Sequence, residues 1–135
     1  MRDNCFIDTN ILIYCYTSDE PNKKQKAISV ASQDHAVIST QVLSELSNIL
    51  KRKFNISWTE IKDVITELKE GFDIYVNSPE TIESAVHIAD RYKYSFYDSL
   101  ILASAISANC KTLYSEDMHD GQVIENSLTI KNPFK

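Results

Sequence analysis

Apolar residues along this chain fall into two rhythms. Short runs bounded by polar residues occur at Cys5 to Ile7, Ala36 to Ile38, Phe72 to Val76, Thr112 to Tyr114 and Leu128 to Ile130, and each reads as a strand. Between them the apolar spacing changes to three and four. Trp58 to Glu70 is the clearest such segment, with Ile61, Val64, Ile65 and Leu68 on one face, a capping box at Ser57 and Glu60, and Gly71 as its stop. A second helix starts at Ser78-Pro79-Glu80, with proline in its first turn, and is expected to turn Ile82, Ala85, Val86 and Ala89 inward. Gln41 to Lys53 carries Val42, Leu43, Leu46, Ile49 and Leu50 at helical spacing. Leu100 to Ala108 is apolar or small nearly all round, as a helix buried against a sheet would be.

Strands alternating with helices predict an α/β fold: a three-layer α/β/α sandwich around a central, mostly parallel sheet, with ligands bound beyond the carboxyl ends of the strands. The length, 135 residues, suits a single domain spanning 1–135. Two glycines, Gly71 and Gly121, are too few for a P-loop or a dinucleotide fingerprint, so ATP- and NAD-driven chemistry is not expected. Cys5, Cys15 and Cys110 are odd in number and contain no C-x-x-C pair, which suggests neither a disulfide framework nor a zinc cluster. No apolar run approaches the roughly 20 residues that cross a bilayer, and the first residues lack the apolar stretch of a secretory signal. A cytoplasmic protein with no membrane partner is expected.

Candidate chemistry is acidic. Asp8 follows the apolar run Cys5-Phe6-Ile7 where a helix begins, the expected place for an α/β active site, although a helix-capping aspartate occupies the same place. Thr112-Leu113-Tyr114-Ser115-Glu116-Asp117 repeats the arrangement, so Asp8 and Asp117 can face each other across neighbouring strands. Asp98, in Ser95-Phe96-Tyr97-Asp98, sits at the start of a buried helix, where a carboxylate also complements the helix dipole. Glu45 lies at the margin of an apolar stripe and is either a cleft acid or a solvated one. His35, His87 and His119 are scattered and read as surface or loop residues. A net charge of -5 opposes a general nucleic-acid binder, unless the acids converge on a cation that reverses the local field. Lys23-Lys24-Gln25-Lys26 and Lys51-Arg52-Lys53 are the candidate backbone-holding patches, and equally ordinary solvated helix faces.

Taken together, the four acids resemble the PIN-domain family, in particular the single-domain toxins of VapBC toxin–antitoxin systems, nearly end to end. Asp8-Thr9-Asn10 is similar to the family's D-x-N opening, Ser44-Glu45-Leu46 to its helix glutamate, Phe96-Tyr97-Asp98 with Ala103 to its central aspartate motif, and Ser115-Glu116-Asp117 to its late T/S-x-D motif. The resemblance implies a ribonuclease using Mg²⁺ or Mn²⁺, for which hard oxygen donors without Cys or His also speak. Asp8, Asp98 and Asp117 would hold the metal, Glu45 would contribute directly or through water, and Asn10 and Ser115 would support them. Asp120 is an auxiliary candidate for the fourth acid. The resemblance further implies an RNA substrate, a cognate antitoxin and a homodimer. Two other readings remain: a catalytically silent PIN-like RNA- or protein-binding module, and a phosphoacceptor domain of receiver or phosphatase type, against which Asn10 stands where D-x-D is required.

Overall fold

The computed structural model describes residues 3–135. Its strands are β1 (Asn4–Ile7), β2 (Ala36–Ser39), β3 (Asp73–Tyr75), β4 (Cys110–Tyr114), β5 (Val123–Ile124) and β6 (Leu128–Lys131). The helices are α1 (Thr9–Thr17), α2 (Pro21–Ala31), α3 (Thr40–Phe54), α4 (Trp58–Gly71), α5 (Pro79–Tyr92) and α6 (Phe96–Ser107). One sheet runs in the order β3-β2-β1-β4-β6-β5, parallel throughout except for the antiparallel β5–β6 edge. The expected mixed α/β architecture with a mostly parallel central sheet and flanking helices is therefore present.

Serine punctuation decides where the helices begin. Ser39, Ser57, Ser78 and Ser95 each accept a hydrogen bond from the backbone N–H three residues on, satisfying a donor that the first turn leaves unpaired. Right-handed crossovers then distribute the layers. From β1 to β2 to β3 the chain moves one way across the sheet, which puts α1 to α4 on one face; the return from β3 to β4 puts α5 and α6 on the other. Packing follows this division, α1 against α2 and α3 on one side, α5 against α6 on the other. The core is the pleated middle of the sheet, with Phe6, Ile7, Ile38 and Leu113 fully buried, sealed by Leu46 and Leu50 of α3 and Ile101 and Leu102 of α6.

The chain departs from the apolar pattern in four places. On α5 the buried stripe is Thr81, Ala85 and Ile88, while Ile82 and Val86, expected inside, are 41% and 58% exposed. The stripe is turned because Thr81 is tied to Tyr75 and Ser78 by hydroxyl hydrogen bonds and faces inward. Helix α6 begins at Phe96 rather than Leu100, since Ser95 caps it. Helix α2 buries only Ala27 and Val30, too few apolar positions to show as a stripe, and Lys23, Lys24 and Lys26 all lie on it. Strand β5 has two residues and was not expected. It is joined to β6 by a turn in which Glu125 and Asn126 both take positive φ (51° and 56°) without the glycine that announces such turns.

Candidate functional site

Parallel strands deliver the site. Phe6 and Ile7 pair with Leu113 and Tyr114, and the ladder continues past both strands: the Asp8 N–H donates to the Tyr114 carbonyl at 3.0 Å, and the Ser115 N–H to the Lys131 carbonyl at 3.0 Å. Asp8 and Ser115 thus sit side by side at the carboxyl edge of β1 and β4, held by sheet hydrogen bonds. This is where the strand order reverses direction, and where a parallel sheet opens a crevice.

Asp8 is 6% exposed. One carboxylate oxygen accepts from the Thr9 N–H at 2.7 Å and the other from the Ser115 hydroxyl at 2.9 Å. An ordinary cap would reach the second or third N–H of the helix; Asp8 reaches only the first and spends its other oxygen across the sheet. Burial, with the charges of Glu45 and Asp98 adding to it, raises its pKa to about 7 against the pull of those two donors. A carboxylate so disfavoured as an anion is poised to gain from a cation.

Three further acids line the same cavity of about 450 Å³. Glu45, Asp98 and Asp117 share its wall with Asp8, Asn10 and Lys53. Glu45 comes from the middle of α3, where the Thr9 hydroxyl donates to one oxygen at 2.7 Å and the Gln41 amide to the other at 3.3 Å. Asp98 occupies the first turn of α6; burial, then the nearby charges of Asp117 and Glu45, raises its pKa despite the Ser95 hydrogen bond. Asp117 is exposed and accepts from the Asn10 amide at 3.0 Å. Asn10 spans the site, since its amide nitrogen also lies 3.4 Å from the Ser115 hydroxyl and its oxygen accepts from the Glu116 N–H at 3.2 Å.

All four expected acids are brought together, with Asn10 and Ser115 between them. Asp120 is not: its carboxylate accepts from the Asn132 N–H at 2.7 Å and borders a separate surface depression with His119 and Gln122. Of the two basic patches, Lys53 reaches the acidic cavity, Lys51 lies 5.1 Å from the Trp58 ring, and Lys23 is ion-paired with Glu116. Sequence reasoning missed Thr9 and Gln41 as holders of Glu45. Gln41 stands four residues before Glu45 on one helix, which is a readable signal; the Thr9 contact joins two elements and is not.

Among the described residues, no three acid, histidine or cysteine side chains already stand close enough to enclose a metal ion. The donor set nevertheless fits a hard divalent cation: it is all oxygen, it lines one cavity, and two of its members, Asp8 and Asp98, have their pKa raised by burial and by the neighbouring acids. Thr9 and Gln41 hold Glu45, Asn10 holds Asp117 and Ser115 holds Asp8, so hydrogen bonds fix the direction from which three of the four acids enter the cavity.

A mostly parallel sheet with helices on both faces and an acid-lined crevice at its switch point defines an α/β domain with a candidate cation site. The PIN domain family model matches residues 5–119, and the chain belongs to that family. Among solved structures it is similar to a toxin–antitoxin complex from Klebsiella pneumoniae, with 22% identity, 96% of this chain and 98% of that one covered, and a TM-score of 0.73. It is similar also to VapC20 of Mycobacterium tuberculosis, a sarcin–ricin loop cleaving toxin (16%, 82% and 87%, TM-score 0.68). VapBC2 of Rickettsia felis, bound to a DNA fragment from its promoter, is a third (19%, 95% and 98%, TM-score 0.67). At these identities the likeness is one of fold. No curated protein matches by sequence.

Proposed function

We propose that this protein is a Mg²⁺- or Mn²⁺-dependent endoribonuclease and the toxin of a toxin–antitoxin pair, acting in the cytoplasm. One observation carries the reading: Asp8, Glu45, Asp98 and Asp117, from four separate elements, line one cavity in which burial and mutual repulsion raise the pKa of two of them. Acids crowded at a cost to the fold make sense as a cation site. Asp8, Asp98 and Asp117 would hold the ion, and Glu45 would contribute directly or through water. When bound, a divalent cation lowers the pKa of an attacking water and offsets charge on the phosphoryl group, giving 5′-phosphate and 3′-hydroxyl ends. Thr9 and Gln41 hold Glu45, Asn10 holds Asp117, and Lys53 meets the RNA backbone at the cavity wall.

Two surfaces support the partners. Ile82 and Val86, one turn apart on α5, leave apolar side chains exposed that suit contact with a second copy of the chain. A cavity of about 290 Å³ between α1, α2 and α4, with Leu12, Tyr16, Ile28 and Phe72 in its walls, suits an apolar segment of an antitoxin. The sarcin–ricin loop activity belongs to the mycobacterial relative; for this chain the RNA is found by sequencing cleaved ends. The first test incubates purified protein with single-stranded RNA in Mn²⁺, then in excess EDTA. Cleavage that requires the metal is expected, and cleavage undiminished by EDTA would refute the mechanism.

A further inference from the structure

Where the residues after β4 meet α1 and α2 lies a second cluster. Glu116 stands between Ser115 and Asp117, and its side chain points to α1 and α2 instead of the crevice. The Tyr14 hydroxyl donates to one of its oxygens at 2.7 Å and the Lys23 ammonium to the other at 2.9 Å. Lys23 also lies 5.1 Å from the Tyr14 ring centre and 5.4 Å from that of Phe134, and those two rings meet edge to face at 5.1 Å. Lys23 and Glu116 are only 34% and 24% exposed, so the pair is shielded better than an ordinary surface ion pair. Burial raises the pKa of Glu116, but the Lys23 and Tyr14 donors outweigh it and hold the carboxyl below its usual value.

We propose that Glu116 is a positioning residue and that Lys23, Tyr14 and Phe134 form a latch which, through it, aims Asp117 into the cavity. The inference rests on the ribonuclease reading and adds a control to its site. The connection is continuous. Glu116 is pinned by its side chain to α1 and α2 and by its backbone N–H to Asn10; Asn10 donates to Asp117; the Asp117 N–H donates to the Ser115 hydroxyl at 3.3 Å, and that hydroxyl donates to Asp8. Asp117 is exposed and lies beyond the last ladder bond at Ser115, and its carboxylate is aimed by the Asn10 amide, which the pinned Glu116 N–H holds in turn. Groups that orient metal ligands typically control affinity and rate about tenfold or more when removed.

The variants are Lys23→Met, Lys23→Arg, Glu116→Gln and the Lys23→Met/Glu116→Gln double. In metal-free protein, hydrogen exchange at the Glu116 and Asp117 amides is expected to quicken at least fivefold in Lys23→Met while β1 and β4 are unchanged. Mn²⁺ affinity by calorimetry should fall about tenfold in Lys23→Met and in Glu116→Gln, no further in the double variant, and recover in Lys23→Arg. Unchanged loop exchange and Mn²⁺ affinity in Lys23→Met, in a protein that cuts RNA, would overturn the latch alone. Additive losses in the double variant, or exchange quickened equally across β1 and β4, would overturn it too. A parent protein that neither binds Mn²⁺ nor cuts RNA would overturn the ribonuclease reading and the positioning role with it.

Discussion

Replacing Asp8 with Asn is expected to stabilise the metal-free protein above neutral pH while removing its cleavage activity. Folding moves this carboxyl from an ordinary value of 3.8 to about 7. The rise of about 3 units corresponds to roughly 4 kcal/mol for the ionised form at 1.36 kcal/mol per unit, an upper figure that dielectric relaxation reduces to about 2 kcal/mol. Because the folded pKa is the higher, the favourable state of Asp8 is fully present below about pH 4 and is lost as pH rises through 7. Asparagine keeps its oxygen as acceptor for the Thr9 N–H and carries no charge, while its amide meets the Ser115 hydroxyl only with that bond reversed, the hydroxyl turning from donor to acceptor. At pH 8 in EDTA the variant should melt about 5–8 °C above the parent, with a smaller gap at pH 5. Mn²⁺ should then raise the parent's melting temperature and leave the variant's nearly unchanged. A variant less stable than the parent at pH 8, or a gap that does not change with pH, would show that Asp8 is only a helix cap.

The fourth acid is separable by mutation. Asp117→Ala should slow cleavage at least about tenfold, roughly 1.4 kcal/mol or more of transition-state stabilisation, at saturating Mn²⁺. Asp120→Ala should change the rate far less and instead cost about 0.5–1 kcal/mol of stability in urea, because the Asn132 N–H loses its acceptor. The reverse order would mean that Asp120 is the site acid. Val86→Lys, on the exposed face of α5, should shift the protein to monomer by light scattering; an unchanged mass would place any dimer contact elsewhere.

What was legible in the sequence was whatever local chemistry announces. Phe6 and Ile7 followed by Asp8, and Leu113 and Tyr114 followed by Ser115, show a strand delivering a polar group at its end, and the structure makes those ends neighbours. Serine caps and the α4 stripe are local too. The turn before β6 was not legible, since Glu125 adopts a positive φ that its side chain does not favour and only the surrounding contacts, with Arg91 and Tyr92, hold it there. The inward face of α5 is hidden from the apolar pattern because Thr81 is polar, although its hydroxyl is satisfied inside. Lys23 looked like part of a basic patch because nothing within α2 hints at Glu116, 93 residues away.

The central position of β1 has a consequence in time. Its Asp8 meets the Ser115 hydroxyl only across a separation of 107 residues, and β1 itself lacks one of its two neighbours until Cys110 to Tyr114 exist. Contacts so distant in the chain are slow to form and late to be available. At synthesis rates of about 5–20 residues per second, roughly 5–20 s separate the making of Asp8 from that of its partner. Throughout that interval the growing chain carries the first acid without the last, and a polypeptide interrupted before β4 carries an incomplete crevice. The four-acid crevice is thus withheld from the unfinished product by topology until β4 and the residues beyond it have been added.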